Sequence, residues 1–259
     1  METEDWLRPL RERGLIPDDV LAAFVVGSAA RGWHNSRSDF DIYVVSPSDR
    51  ESESSRSISM PLNPPHIRSE MFYEDARRWE VTYWLDAQID QMLTKVSWDH
   101  YDSDVMAGGV LTPREEVSLA RVSDCLPLLG QDWLAARRQQ FHDSAFRSFV
   151  VARSLEAADG AVEDALGQLE AGNAESATIS ARLAFGHTID ALLESHGEYG
   201  SHMPKWRPHK YRIAEPSVLA FDDYWAYETM RGLDPSDPAP WITAVLTLCQ
   251  DIAMTVETR

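Results

Sequence analysis

Phe24–Val45 reads FVVGSAARGWHNSRSDFDIYVV, and its reading decides the fold. Phe24, Val25 and Val26 form a short apolar run that ends at Gly27-Ser28, as a strand does when it meets a turn. A glycine there lets the chain turn sharply and lets a ligand approach the main chain. Ala29 to Arg37 is small and polar and can offer amide donors at a helix start. Asp39-Phe40-Asp41-Ile42 then leads into Tyr43-Val44-Val45, a second strand. Residues two apart share a strand face, so Asp39 and Asp41 point one way, and Phe40, Ile42 and Val44 point the other. Two carboxylates side by side repel unless a cation lies between them. Hard divalent ions such as magnesium take such oxygen ligands, with a nucleotide phosphate completing the set.

Gly27-Ser28, ten intervening residues and Asp39-Phe40-Asp41-Ile42 resemble the signature of the DNA polymerase beta-like nucleotidyltransferase superfamily. A third carboxylate normally sits on a later strand there, and Glu80 in Arg78-Trp79-Glu80-Val81-Thr82-Tyr83-Trp84 is the candidate. That segment is similar to the third-carboxylate strand of aminoglycoside adenylyltransferases of the streptomycin/spectinomycin type. The strong motifs span roughly residues 22–86. The resemblance implies a small mixed sheet with flanking helices, ATP or another NTP as co-substrate, and two magnesium ions on Asp39, Asp41 and Glu80. It makes these three the catalytic residues and gives phosphate contacts to Gly27 and Ser28. Arg31, Arg37 and Lys205 are weaker candidates for such contacts.

Outward from this core, residues 4–13 read as an amphipathic helix with Trp6, Leu7 and Leu10 on one side. Residues 46–66 are rich in Ser, Pro, Arg and Glu and read as a loop. Ile67–Tyr73 and Trp79–Leu85 read as a hairpin, followed by a helix from Asp86 to Val96. An acidic, aromatic connector at 98–112 marks a boundary, with a catalytic domain at 1–110 and a helical substrate-binding domain at 111–259. That second part shows no strand-like alternation. Its periodicity predicts helices at about 113–124, 131–140, 142–171, 174–197, 215–231 and 239–257, arranged as an all-α bundle. Within it His187–Leu193, Gly197-Glu198-Tyr199 and Pro204-Lys205-Trp206 resemble the helical substrate-binding domain of kanamycin-type nucleotidyltransferases. Arg182 and His187 have the spacing of the HEPN ribonucleases, but a leucine stands where those carry a polar residue, which disfavours a nuclease.

Composition narrows the function further. The chain of 259 residues carries a net charge of −18, which repels a phosphate backbone and weighs against a nucleic-acid partner. It favours a small cationic acceptor, such as an aminoglycoside, and the clusters Asp99, Asp102, Asp104 and Asp222, Asp223, Glu228 could line its site. No apolar run reaches the roughly twenty residues that span a bilayer. The first residues are acidic and lack the regions of a signal peptide, so a cytoplasmic protein is expected. Cys125 and Cys249 sit among apolar residues and are expected as buried free thiols. Walker A, Gly-x-Gly-x-x-Gly, Gly-x-Ser-x-Gly and His-Glu-x-x-His motifs are all absent. The expected reaction is transfer of AMP from ATP to a hydroxyl of a small molecule. The alternatives are a natural-product tailoring enzyme and a toxin–antitoxin-type nucleotidyltransferase that modifies or masks a protein partner.

Overall fold

The computed structural model describes residues 2–50, 52–103 and 109–258. In chain order the elements are α1 (Thr3–Glu12), β1 (Ala22–Val26), α2 (Gly27–Ala30), β2 (Phe40–Ser46), β3 (Arg56–Ser59), β4 (His66–Glu74), β5 (Arg77–Leu85), α3 (Asp86–Lys95), α4 (Trp98–Tyr101), α5 (Pro113–Ser123), β6 (Leu126–Leu129), α6 (Gln131–Asp143), α7 (Phe146–Glu170) and α8 (Ala174–Ser195). A 3-10 turn at Pro204–Trp206 precedes α9 (Arg207–Ala214), α10 (Phe221–Glu228) and α11 (Ala239–Ala253). The chain forms two compact units, one of Met1–His100 with Arg114–Ser144, the other of Tyr101–Pro113 with Ala145–Arg259.

The first unit is a six-stranded mixed sheet in the order β3-β4-β5-β2-β1-β6. Only β2 and β5 run parallel; every other neighbouring pair is antiparallel. β2 is interior, and this explains its composition. Phe40, Ile42 and Val44 enter one core with Trp6, Leu7 and Leu10 of α1 and with Trp79, Val81 and Tyr83 of β5. Tyr43 and Val45, on the carboxylate side, are buried as well. A strand covered on both faces reads as a continuous apolar run rather than an alternation. The Tyr43 ring meets Phe24 edge-on at 5.9 Å, and Phe24 stacks at 6.5 Å on Trp133 of α6. Helix α1 therefore covers one face of the sheet, and α5 and α6 cover the other.

The β4–β5 hairpin closes through Asp75 and Ala76, both at positive φ, the two-residue turn that suits the twist of paired strands. The expected loop at 46–66 holds a strand, β3, which pairs antiparallel with β4 at the sheet edge. Its sequence, Arg-Ser-Ile-Ser, is too short and polar to announce itself. A second correction is β6. Leu-Pro-Leu-Leu lies where the sequence suggests only helices, yet it pairs with β1 and completes the sheet. The first unit thus recruits Arg114–Ser144, beyond the boundary expected at residue 110.

The second unit is helical. Helices α7 and α8 form its long hairpin, turning at Gly172-Asn173. Ala177, Ala181, Phe185, Ile189 and Leu192 of α8 pack with Trp241, Ile242, Val245 and Ile252 of α11. Tyr211 and Tyr224 stack face to face at 4.2 Å. Of the helix expected at 215–231 only α10 is helical, and α9 lies just before it, where no helix was expected. Residues 215–220 separate α9 from α10, with Glu215 left-handed and Pro216 unable to continue a helix. Both cysteines are buried and free. Among the described residues no helix is long and apolar enough to cross a membrane.

Candidate active site

Parallel pairing of β2 with β5 sets Asp41 opposite Glu80. Their side chains therefore share one face of the sheet, with Asp39 two residues before Asp41 and Arg78 two before Glu80. On the other flank β1 ends at Val26, paired with Asp41, and the chain turns at once through Gly27. Gly27 has φ +68°, and a Cβ built there would stand 3.0 Å from Asp41 Oδ2. The turn and the carboxylate are in near contact, which only a glycine permits. Ser28 follows in the short turn of helix α2.

Each carboxylate has a partner. Arg121 Nη2 donates to Asp41 Oδ2 at 3.3 Å. Arg78 pairs with Asp39. Ser69 Oγ, on the neighbouring strand β4, donates to Glu80 Oε1 at 3.2 Å. Burial pushes the Asp41 carboxyl above its ordinary range; the Arg121 guanidinium opposes this, while the Glu80 and Asp39 carboxylates add to it. Both other acids are thus close enough to repel Asp41.

The expected three-ligand metal set is not assembled. Among the described residues no three acidic, histidine or cysteine side chains gather closely enough to hold an ion. The reason is local: Asp39 is engaged by Arg78, and Asp41 by Arg121. The donor chemistry nevertheless fits a hard divalent cation. The acids are oxygen ligands on one face, and their mutual repulsion at Asp41 is what such an ion relieves.

The candidate phosphate contacts fare unequally. Arg31 is ion-paired with Asp124 and lies over the Trp33 ring at 4.2 Å. Arg37 is exposed in the loop before β2, its backbone amide bonded to Asn35 Oδ1 at 2.8 Å. Lys205 belongs to the helical unit, with its ammonium 5.1 Å from the Trp206 ring centroid. Arg182 and His187, five residues apart on α8, fall on different sides of that helix. Arg182 is exposed and His187 half-buried.

Sequence reasoning missed Arg121, Arg78 and Ser69. Arg78 and Ser69 were within reach, since strand periodicity and the hairpin register put both beside Glu80. Arg121 carries no such signal. It lies on α5, whose buried face also holds Glu115, Glu116 and Ser118, and nothing local says that this face covers the site.

Residues 8–99 match the family model of the nucleotidyltransferase domain. A crystal structure of a nucleotidyltransferase-like protein from Exiguobacterium sibiricum 255-15 is similar over 98% of this chain and 75% of its own, with a TM-score of 0.51 at 14% identity. No curated protein matches the chain in sequence. The match covers most of the Met1–His100 part of the first unit; the chain also has a helical unit. The family match thus makes residues 8–99 a nucleotidyltransferase domain, and the structural likeness, at 14% identity, speaks for the fold of the rest.

Proposed function

We propose that this protein transfers AMP from ATP to a hydroxyl group of a small cationic molecule, an aminoglycoside or a related aminocyclitol, with release of pyrophosphate. The observation that carries the reading is the register that sets Glu80 beside Asp41 under the Gly27 turn. Asp39, Asp41 and Glu80 would hold two magnesium ions. Bound there, such ions polarise the phosphoryl oxygens and favour the deprotonated acceptor. Glu80 would bind the catalytic ion, or accept the proton of the acceptor hydroxyl as general base. The backbone amides at Gly27 and Ser28 and the Ser28 hydroxyl cradle the phosphates. Arg31, Arg37 and Lys205 are candidates to neutralise the remaining charge; Arg31 would first have to leave Asp124. The helical unit from residue 111 onward would supply acceptor contacts, apart from the 114–144 stretch that builds the first unit. The net charge of −18 supports a cationic acceptor, and the two buried free thiols suit the cytoplasm.

The test is transfer itself. Protein, magnesium and each of the four α-labelled ribonucleoside triphosphates are incubated with a panel of aminoglycosides, and with cell lysate. Labelled aminoglycoside from ATP is expected, and Asp39→Ala or Asp41→Ala should abolish it while the thermal melt stays intact. Labelling of a lysate protein alone would sink the small-molecule acceptor. Normal turnover in either variant would remove the metal-site assignment.

A further inference from the structure

Arg121 has no part in the reaction as assigned above, yet it stands at the centre of the site. Its Nη2 donates to Asp41 Oδ2 at 3.3 Å, and its Nη1 to the Tyr43 hydroxyl at 3.1 Å. The same Nη2 lies 3.5 Å from where a Cβ on Gly27 would be. The guanidinium sits over Tyr43, 5.6 Å from the ring centroid. Its Nε is buried without a hydrogen-bond partner. A permanently charged group of low exposure therefore occupies the corner between the glycine turn and the motif carboxylate, with a donor to spare.

Two facts make this arrangement unstable toward a ligand. Arg121 occupies the Asp41 oxygen that a divalent ion would take, and two cations do not share one carboxylate oxygen without repulsion. A guanidinium displaced from Asp41 keeps Glu80 as a nearby carboxylate, but the metal reading claims that acid as well; its other partner, the Tyr43 hydroxyl, already has Ser118 Oγ at 3.2 Å. A triphosphate arriving at the Gly27 turn brings anionic oxygens to the same corner. Arginine meets phosphate through paired donors and keeps its charge in doing so.

We propose that Arg121 is the exchange residue of the site: it holds Asp41 when the nucleotide is absent, and it releases Asp41 to the metal and takes the triphosphate when the nucleotide arrives. The inference rests on reading this site as a nucleotidyl-transfer centre. It gives Arg121 two effects of opposite sign, competition with free metal and attraction for the nucleotide. An arginine that merely braces α5 against the sheet would show neither.

Calorimetry on the full chain separates the cases, with manganese alone as one probe and inorganic triphosphate in the presence of a chelator as the other. Arg121→Met is expected to bind manganese about tenfold more tightly than wild type, and triphosphate about tenfold more weakly. Arg121→Lys keeps the charge and should remain closer to wild type on both. Asp41→Asn, which leaves Arg121 in place but unpaired, should bind triphosphate more tightly than wild type. That gain should vanish in Asp41→Asn/Arg121→Met. Manganese affinity unchanged or lowered in Arg121→Met overturns the inference, as does an Asp41→Asn gain that survives without Arg121. Should Arg121→Met not fold, the wild-type and Asp41→Asn proteins still decide: equal triphosphate affinity overturns the exchange. Manganese binding identical in wild type and Asp41→Asn is a different failure, for it removes the metal-site reading itself.

Discussion

Glu80 is the residue on which the proposed chemistry turns, and its surroundings define what it can do. It is partly exposed, on the face it shares with Asp41, and among the described residues its protein donor is the Ser69 hydroxyl. It is thus free to receive a proton from an acceptor that comes from solvent. Glu80→Gln keeps the shape and loses the base. It should retain nucleotide binding while the transfer rate falls by roughly 10²–10⁴-fold, the range of general-base catalysis. Single-turnover transfer and nucleotide titration measure the two separately. The other acid close by in sequence, Glu70, pairs with Val81 in the β4–β5 register, so it lies on the opposite face. It accepts hydrogen bonds from Arg50 and Ser54 and is buried. A rate loss in Glu70→Gln with none in Glu80→Gln would contradict the register-based assignment.

Single elements hold this geometry in place. β6 joins β1 through an unusually close approach: Gly130, at φ +72°, would carry a Cβ 1.9 Å from the Leu21 carbonyl oxygen. No side chain fits there without moving the main chain that leads into β1. Gly130→Ala is therefore expected to destabilise the first unit by roughly 2–3 kcal/mol, the cost of overpacking with backbone strain. A urea melt followed by tryptophan fluorescence reports it, and an unchanged midpoint would mean that β6 is not seated against β1 as described. In the helical unit, α8 carries a buried acid, Glu194. It accepts from Ser154 Oγ at 2.7 Å and from Arg153 Nη2 at 3.2 Å. Burial still pushes its carboxyl up to about 7, against the pull of Arg153 and with a small further push from Asp190. The folded state thus holds this proton more tightly than the unfolded chain does. The stabilisation is complete below about pH 4.5 and is lost as the pH rises through about 7. It amounts to about 3 kcal/mol, at about 1.4 kcal/mol for each pH unit between the two values. Glu194→Gln, which cannot ionise, should flatten the fall in melting temperature between pH 5 and pH 8 (about the window just given) and melt above wild type at the upper end. An unchanged slope, with the variant melting below wild type throughout, would show that Arg153 keeps the carboxylate charged.

At the scale of the molecule, charge is the dominant fact. Asp and Glu number 42 against 24 Lys and Arg. Some of the acids expected to attract an acceptor are otherwise employed. Glu228 pairs with Arg207 at 3.5 Å, and Asp222 and Asp223 sit in the first turn of α10, where negative charge complements the helix dipole. Asp104 lies outside the described residues, while Asp99 borders a surface cavity of about 470 Å³ with Asp90 and Asp143. The proposed attraction for a cationic acceptor therefore rests on the whole surface field rather than on one cluster. Acceptor affinity should fall steadily as salt rises and the field is screened. Calorimetry across a salt series checks this, and salt-insensitive binding of a neutral acceptor would overturn the cationic class.

What the sequence determined by itself is the centre of the first unit. Strand periodicity put Asp39 and Asp41 on one face, the apolar frame around them demanded a buried strand, and the hairpin at Asp75-Ala76 followed from its alternating flanks. These are local rules, in which each residue's neighbours in the chain are also its neighbours in space. The partners of the site obey no such rule. Arg121 and Asp124 reach Asp41 and Arg31 across about eighty and ninety positions of chain. They do so only because β6 returns to the sheet edge and brings α5 over the carboxylate face. Neither β6, a four-residue Leu-Pro-Leu-Leu, nor β3, a polar Arg-Ser-Ile-Ser, carries enough pattern to identify itself. Their strand conformation comes from the open edges they pair with. Tertiary structure alone decided which cation stands on Asp41, because a long-range ion pair is selected by packing and leaves no period in the sequence.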